Sequence, residues 1–454
     1  MPSFDTEVPV LLLRLDPNPF HHGSLGAIRS LGRTGIEVHV AQAASGPVDR
    51  SRFVHRVHPL PPEPVSDADL GRALCRVSEA IGRPAVLIAL DDRGAIAVAA
   101  LSERLRGRFL LPDAAPGLPA RVADKAELAG LCRATGIGHP VTVTPGSAAE
   151  AAREASLLGP PVVAKWSRPW LLPKGLRSTT LLRTAADAGE LYERGTGTGN
   201  RLLLQKRLAG GRGTDWFFHG YAAGDGGFLV GGSGRKDRSW PPRTGLTAVG
   251  TWAANREVEK AAARLAAHVG YRGILDLDFR LDPATGTYHL LDFNPRPGAQ
   301  FRLFTDDAGL DVVRAQHLHL TGRPVPAQSG GPGRVFVAEN YALLSALFTG
   351  PSGAGGRRRE RVHARGPGVG TGRRARGART VERAWFAADD PRPFFAMTGA
   401  WFVRGASKTW LRVRPARAAL PASAPELRSA PHSRTTRDER SVKDQREGNA
   451  CTTS

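Results

Sequence analysis

Gly270-Tyr-Arg-Gly-Ile-Leu-Asp-Leu-Asp-Phe-Arg-Leu-Asp282, followed after a short turn by Leu290-Leu-Asp-Phe-Asn-Pro-Arg-Pro-Gly298, decides the reading of this 454-residue chain. GILDLDFRLD alternates apolar and polar residues, PATGT supplies a turn, and YHLLDFN runs back, so the stretch predicts a β-hairpin. Alternation puts Asp276, Asp278 and Arg280 on one face of the first strand, while Asp292 and Asn294 share a face of the second. Asp278, Asp292 and Asn294 then form a convergent set of oxygen donors, with Arg296 just beyond. Hard oxygen ligands that leave coordination positions open suit Mg²⁺ and substrate phosphates. The arginine adds a planar fork for phosphate oxygens. The plain alternative is a solvated acidic hairpin. Asp-x-Asn-Pro-Arg is more restrictive than a bare Asp-x-Asp, and it favours the metal–nucleotide reading.

A chain of this length exceeds one core, so two or three domains are expected. An apolar fraction of 41% fits a soluble globular protein. There is no run of about 18 uncharged apolar residues, hence no expected membrane span. The first twenty residues place acids before their apolar run and lack a basic leader, which argues against a signal peptide. Cys75, Cys132 and Cys451 have no metal-ligand spacing and fit reduced thiols in a cytoplasmic setting. The net charge of +21 raises the question of nucleic acid, but thirteen of those charges lie in residues 351–454. Residues 351–384 hold ten Arg against two acids, in a Gly-rich segment expected to be a flexible loop. Non-specific nucleic-acid binding is all that this excess predicts.

Along the chain, Val8–Leu15 reads as a buried strand. A loop from Asp16 to Gly26, a helix over 27–35 and a strand at 36–41 follow, the opening of a doubly wound sheet. Gly23 and Gly26 read as turn residues, with approach to a phosphate as the sharper option. A helix over Asp67–Ile81, a strand at 85–90 and Asp91-Asp92 at its carboxyl end form a second unit. Helices are expected at Ala123–Thr135, Ala148–Leu158, Ala185–Arg194 and after the cap residue Asn255, where Val258, Ala262, Leu265 and Val269 form the buried stripe. Strands are expected at PVVAKW, RLLLQKRL and DWFFHGYAA.

This arrangement resembles the ATP-grasp superfamily over residues 8 to 325. Lys125 in ADKAEL and Lys165 in PVVAKW look like the two lysines that reach the nucleotide phosphates. Gln205 falls at the family's hinge, where Lys206 and Leu208 adjoin it and backbone groups hold the adenine edge. Asp215 looks like the acid that grips the ribose. Asp278, Asp292 and Asn294 match the metal ligands, for Mg²⁺ with Mn²⁺ as an option, and Arg296 matches the arginine on the transferred phosphoryl group. The resemblance implies a fold of α/β and α+β parts: a Rossmann-like domain over residues 1–116, then an ATP-grasp domain over 117–325. The latter divides into a lid lobe of about 140–205 and a metal-binding lobe of about 206–325. Residues 326–413 are expected as a small appendage and 414–454 as a disordered tail. SWPPRTGLTAVG resembles the branch typified by D-aspartate ligase, and Arg243 within it is a candidate for binding the carboxylate substrate.

The implied activity is ATP-dependent joining of a small-molecule carboxylate to an amine through an acyl phosphate, with Arg296 and Lys165 as catalytic residues. A homodimer is one option for its assembly. Two departures stand out. The 166–178 loop is poor in glycine, with Gly175 almost alone and Lys174 and Arg177 offering side-chain charge instead. The first metal ligand is Asp278, where Glu is more usual. The competing reading is a regulatory or nucleic-acid-associated protein whose ATP site is vestigial.

Overall fold

The computed structural model describes residues 2–61, 66–224, 227–241, 245–348 and 380–413, except the side chains of 347–348 and 405–413. The N-terminal part alternates strands and helices: β1 (Val10–Arg14), α1 (His22–Gly32), β2 (Val38–Gln42), β3 (Arg56–Pro59), α2 (Asp67–Ile81), β4 (Ala85–Ala89), α3 (Asp92–Ala100), α4 (Ser102–Leu105) and β5 (Phe109–Leu110). The five strands form a parallel sheet in the order β3-β2-β1-β4-β5. Every residue of β1 and β2 is buried, as expected of inner strands covered on both faces. The chain leaves β1 toward β2 and β3, then returns to β4 on the other side. That reversal opens a crevice at the carboxyl ends of β1 and β4.

Helix α1 starts five residues earlier than the sequence suggests. The His21 ring caps it, accepting a hydrogen bond from the Ser24 backbone amide at 3.2 Å. Gly23 and Gly26 therefore lie inside the helix rather than in a turn. A Cβ on Gly23 would stand 2.9 Å from Ala299 Cα, and one on Gly26 would stand 3.2 Å from Arg302 Cδ. The two glycines let segment 299–302 pack against the helix.

The middle of the chain gives α5 (Leu118–Ala123), α6 (Lys125–Thr135), β6 (Thr142–Val143), α7 (Ala148–Leu158), β7 (Val162–Trp166), β8 (Thr179–Leu182), α8 (Ala185–Arg194) and β9 (Leu202–Lys206). Its antiparallel sheet runs β6-β9-β7-β8. Ala151 and Ala155 of α7 and Ala188 and Leu191 of α8 cover it, making a separate core with Val162, Ala164, Trp166 and Leu204. The helix expected over Ala123–Thr135 is broken at Asp124, which caps α6.

Next come β10 (Asp215–Ala222), β11 (Phe228–Trp240), β12 (Leu246–Trp252), α9 (Arg256–His268), β13 (Gly273–Asp282), β14 (Thr287–Asn294), α10 (Val312–Leu320), β15 (Val335–Val337), α11 (Glu339–Phe348), β16 (Val381–Arg383) and α12 (Arg392–Val413). The sheet order is β14-β13-β10-β11-β12-β15-β16. Asn255 caps α9 as anticipated, and Val258, Ala262 and Leu265 are buried while Val269, just past its end, is half-buried.

Residues 326–413, anticipated as an appendage, add two strands to this sheet. The flexible loop anticipated over 351–384 is corrected at its end. Val381–Arg383 pairs in parallel with β15, Ala384 is buried, and its amide donates to Val337 O at 2.9 Å. The open edge of β15 supplies backbone partners that outweigh the segment's polar composition. Residues 351–379 and the tail 414–454 lie outside the described residues. One core cluster runs from the parallel sheet into the seven-stranded one, joining Leu12, Ile28 and Leu31 with Phe217, Phe304, Phe336 and Trp385. Among the described residues, no helix is long and apolar enough to cross a membrane.

Candidate nucleotide and metal site

Lys125 and Lys165 come from different elements but meet on one carboxylate. Lys125 is the first residue of α6, where a cation opposes the helix dipole. The arrangement holds because Asp124 caps the helix, accepting from the Ala126 and Glu127 amides at 2.9 and 3.3 Å. The Lys125 amide also donates to Ser167 O at 2.9 Å, tying the start of α6 to the end of β7, which carries Lys165. Both ammonium groups reach Asp292: Lys125 Nζ pairs with Oδ1, and Lys165 Nζ lies 3.3 Å from Oδ2. Burial alone would raise the Asp292 carboxyl, but the two lysines hold it well below the ordinary range. Burial also lowers Lys165, with Asp292 opposing it.

The hairpin has the predicted strands, with a feature that the alternation does not reveal. Asp278 faces Asp292 and Asp276 faces Asn294, but the register slips between Asp278 and Phe279. The slip is a β-bulge on β14, a device that re-aims side chains near sites. Leu291 is the extra residue, and Lys165 Nζ donates to its carbonyl at 3.0 Å. Two carboxylates directly opposite each other across strands repel. Burial raises Asp278, Asp276 and Asp292 raise it further, and Lys236 on β11, 3.6 Å away, only partly offsets them. Two facing carboxylates and a neighbouring amide, backed by cations, are a donor set that fits an oxygen-seeking divalent ion.

Behind this pair lies a second cluster. Asp276 is buried, with Arg296 Nη1 donating to its Oδ2 at 2.8 Å and His219 Nε2 standing 3.0 Å from its Oδ1. Arg296 Nε lies 3.2 Å from Asp92 Oδ1, so its guanidinium joins the hairpin to the end of β4. Asn294 Nδ2 donates to Asp276 O at 3.3 Å. Burial would raise Asp276, but His219 and Arg296 bring it below the ordinary range. Gly298 closes the cluster from above. A Cβ there would stand 2.1 Å from His219 Cε1 and 2.8 Å from Asp276 Cγ, so only glycine fits.

Of these groups, Lys236, Asp276, Asp278, Leu291, Asp292 and Arg296 line one wall of a cleft of about 660 Å³, and Lys125 and Lys165 reach it through Asp292. The opposite wall comes from the crevice of the parallel sheet: Asp16, Asn18, Phe20 and His21 after β1, and Leu90, Asp91 and Asp92 after β4. Asp91 caps α3 and also accepts the Leu15 and Asp16 amides at 2.6 and 3.1 Å, locking the two loops together.

Asp215 also lines the cleft, paired with Arg280 at 2.7 Å. Gln205 is buried and donates to Thr142 Oγ1 at 3.0 Å, while Lys206 is exposed and Leu208 half-buried; none of the three lines this cleft. Arg243 lies outside the described residues. From sequence, Asp92 was read only as an acid at the carboxyl end of a strand and Arg280 only as sharing the face of Asp276 and Asp278, while Gly298 closed the quoted stretch without a role. His219 and Lys236 were not singled out, because they arrive through strand pairing.

No family model and no curated protein matches the sequence. Solved structures do match. A biotin carboxylase–β,γ-ATP complex from Campylobacter jejuni has a TM-score of 0.55 at 14% identity, over 73% of this chain and 75% of that one. The biotin carboxylase domain of a 2-oxoglutarate carboxylase from Hydrogenobacter thermophilus, a dimer with MgADP and bicarbonate, has a TM-score of 0.53 at 17% identity, over 72% and 73%. An L-amino acid ligase from Bacillus licheniformis has a TM-score of 0.53 at 14% identity, over 72% and 79%. The fold they share with this chain is the ATP-grasp fold.

Proposed function

We propose that this protein is an ATP-dependent carboxylate–amine ligase that releases ADP and phosphate. The observation that carries the reading is the convergence of Lys125, Lys165, Asp278, Asp292 and Arg296, from three separate stretches of chain, around a cleft. In this reading residues 1–116 supply the crevice, about 140–205 the lid lobe and about 206–325 the metal-binding lobe. Asp278, Asp292 and Asn294 would hold Mg²⁺, or Mn²⁺, which would supply charge neutralisation for the nucleotide phosphates.

The chain's own residues do the rest. Lys125 and Lys165 exchange Asp292 for phosphate oxygens, each giving up one charged partner for another. Arg296, fixed between Asp92 and Asp276, presents its remaining N–H groups without a reorganisation cost. A substrate carboxylate oxygen attacks the γ-phosphorus as ADP leaves. An amine nitrogen then attacks the acyl carbon, phosphate departs and the amine loses a proton. Such chemistry depends on position and charge more than on a protein nucleophile. Gln205, Lys206, Leu208 and Asp215 take the adenosine end, and the 166–178 loop is the lid that excludes water.

The acceptor and donor lie against the β1–β4 crevice, within reach of the reacting phosphate. The D-aspartate ligase-like branch rests on SWPPRTGLTAVG, with Arg243 as the group for the substrate carboxylate. The test is magnesium-dependent ADP release with amino-acid carboxylates and amines, and amide product identified by mass. Asp292→Ala should lower it at least about 100-fold, in line with the loss of a preorganised charged group. Full activity in that variant would remove the assignment.

A further inference from the structure

A second set of metal-ligating side chains lies at the β2–β3 edge of the parallel sheet, and none of its members lines the cleft. Glu37 precedes β2, His39 lies within it, His55 precedes β3 and His58 lies within β3. Parallel pairing sets Ala41 opposite His58 and His39 opposite Arg56, which puts the two histidines on one face. His39 Nε2 is 2.7 Å from Glu37 Oε1, and His55 Nε2 is 3.7 Å from the same oxygen. One atom from each of Glu37, His39 and His55 falls within 4.8 Å of the others. On the far side of the ring, His39 Nδ1 lies 2.9 Å from His58 Nε2.

We propose that Glu37, His39 and His55 bind a borderline transition-metal ion, with Zn²⁺ as the preferred occupant and His58 orienting His39. Tetrahedral zinc with nitrogen and oxygen ligands at about 2.0–2.1 Å sets those ligands about 3.3 Å apart. The observed 2.7 and 3.7 Å bracket that spacing. Two imidazoles and one carboxylate select zinc-like ions over Mg²⁺ or Ca²⁺. A ligating histidine usually hands its other ring N–H to an outer partner. His58 is placed for that role, since His39 Nδ1–H donates to His58 Nε2 once the ion occupies His39 Nε2. Arg83 lies 3.3 Å from Glu37 Oε2, leaving Oε1 for the ion and tempering the affinity.

A plain Glu–His–His hydrogen-bond chain accounts for Glu37, His39 and His58. It gives no reason for His55, whose nitrogen is aimed at the same oxygen from beyond hydrogen-bond distance. The His55 side chain is 56% exposed, so the ion has a route in from solvent.

The test uses the full chain stripped with EDTA, then dialysed against micromolar Zn²⁺ and analysed for metal. Wild type should hold one zinc per chain more than His55→Ala or Glu37→Gln, while Asp292→Ala keeps it. Cobalt substitution should give a tetrahedral visible band in wild type that is absent from both variants. Equal zinc in wild type and His55→Ala overturns the proposal, as does loss of the zinc in Asp292→Ala alone. If Glu37→Gln melts lower, the exposed His55→Ala variant decides by itself.

Discussion

Asp276, Asp278 and Asp292 sit within two facing strands, yet their surroundings push them in different directions. Asp276 is held low by His219 and Arg296 against the effect of burial. A carboxylate held low binds fewer protons in the folded protein than in the unfolded chain. The stability it contributes is therefore present above pH about 4 and is lost as pH falls toward its folded value. Asp276→Asn should cost about 3–5 kcal/mol at pH 7, because it uncouples a buried ion pair. Denaturant melts at pH 7 and pH 3 should show the gap to wild type narrowing in acid.

Asp278 is raised by burial and by its acidic neighbours, so ionising it opposes folding from about pH 4 upward. Asp278→Asn should raise the melting temperature in EDTA while lowering ligase activity about 100-fold or more. A drop in both would mean that Asp278 is structural. Alternation along the hairpin set Asp278, Asp292 and Asn294 on a common face, whereas Lys125 and Lys165 were singled out only through the resemblance to ATP-grasp proteins. His219 was not legible, because only the pairing of β10 with β13 sets it opposite Asp276.

At the scale of elements, helices with clear caps were legible almost to the residue: Asp67–Ile81, Ala148–Leu158 and Ala185–Arg194 coincide with α2, α7 and α8. The start of α1 was misread because a histidine, not a usual capping residue, closes it and glycines fill its first turns. The bulge at Leu291 was also hidden, since one extra residue leaves the local apolar pattern intact. Gly298 gives a direct test of how closely the Asn-Pro-Arg-Pro-Gly turn packs. Gly298→Ala should destabilise by about 1–3 kcal/mol through overpacking and should lower activity by displacing Arg296. Unchanged melting would show that the turn has room to spare. If the 166–178 loop is the lid, a non-hydrolysable ATP analogue with Mg²⁺ should slow amide exchange there and in residues 207–214. Exchange unchanged in both segments would locate closure elsewhere.

For the whole molecule, two of the three sheets share one core. Leu12, Ile28 and Leu31 pack in one cluster with Phe217, Phe304 and Trp385, so the crevice wall and the hairpin wall are built to hold a fixed spacing. The four-stranded sheet has a core of its own, as the proposed nucleotide lid would require. The composition announced several domains but could not show that β15 and β16 extend the hairpin's sheet, because that pairing joins distant stretches of chain. The charge of +21 did not mark the site, where Lys125, Lys165, Lys236 and Arg296 face four carboxylates.

The central claim is that a carboxylate oxygen attacks the γ-phosphate. It is tested most directly with ¹⁸O-labelled amino acids, ATP, Mg²⁺ and hydroxylamine as a general amine. The account predicts ADP, a hydroxamate and phosphate carrying one ¹⁸O per turnover, all abolished in Asp292→Ala. AMP with pyrophosphate, or ADP with unlabelled phosphate, would contradict it.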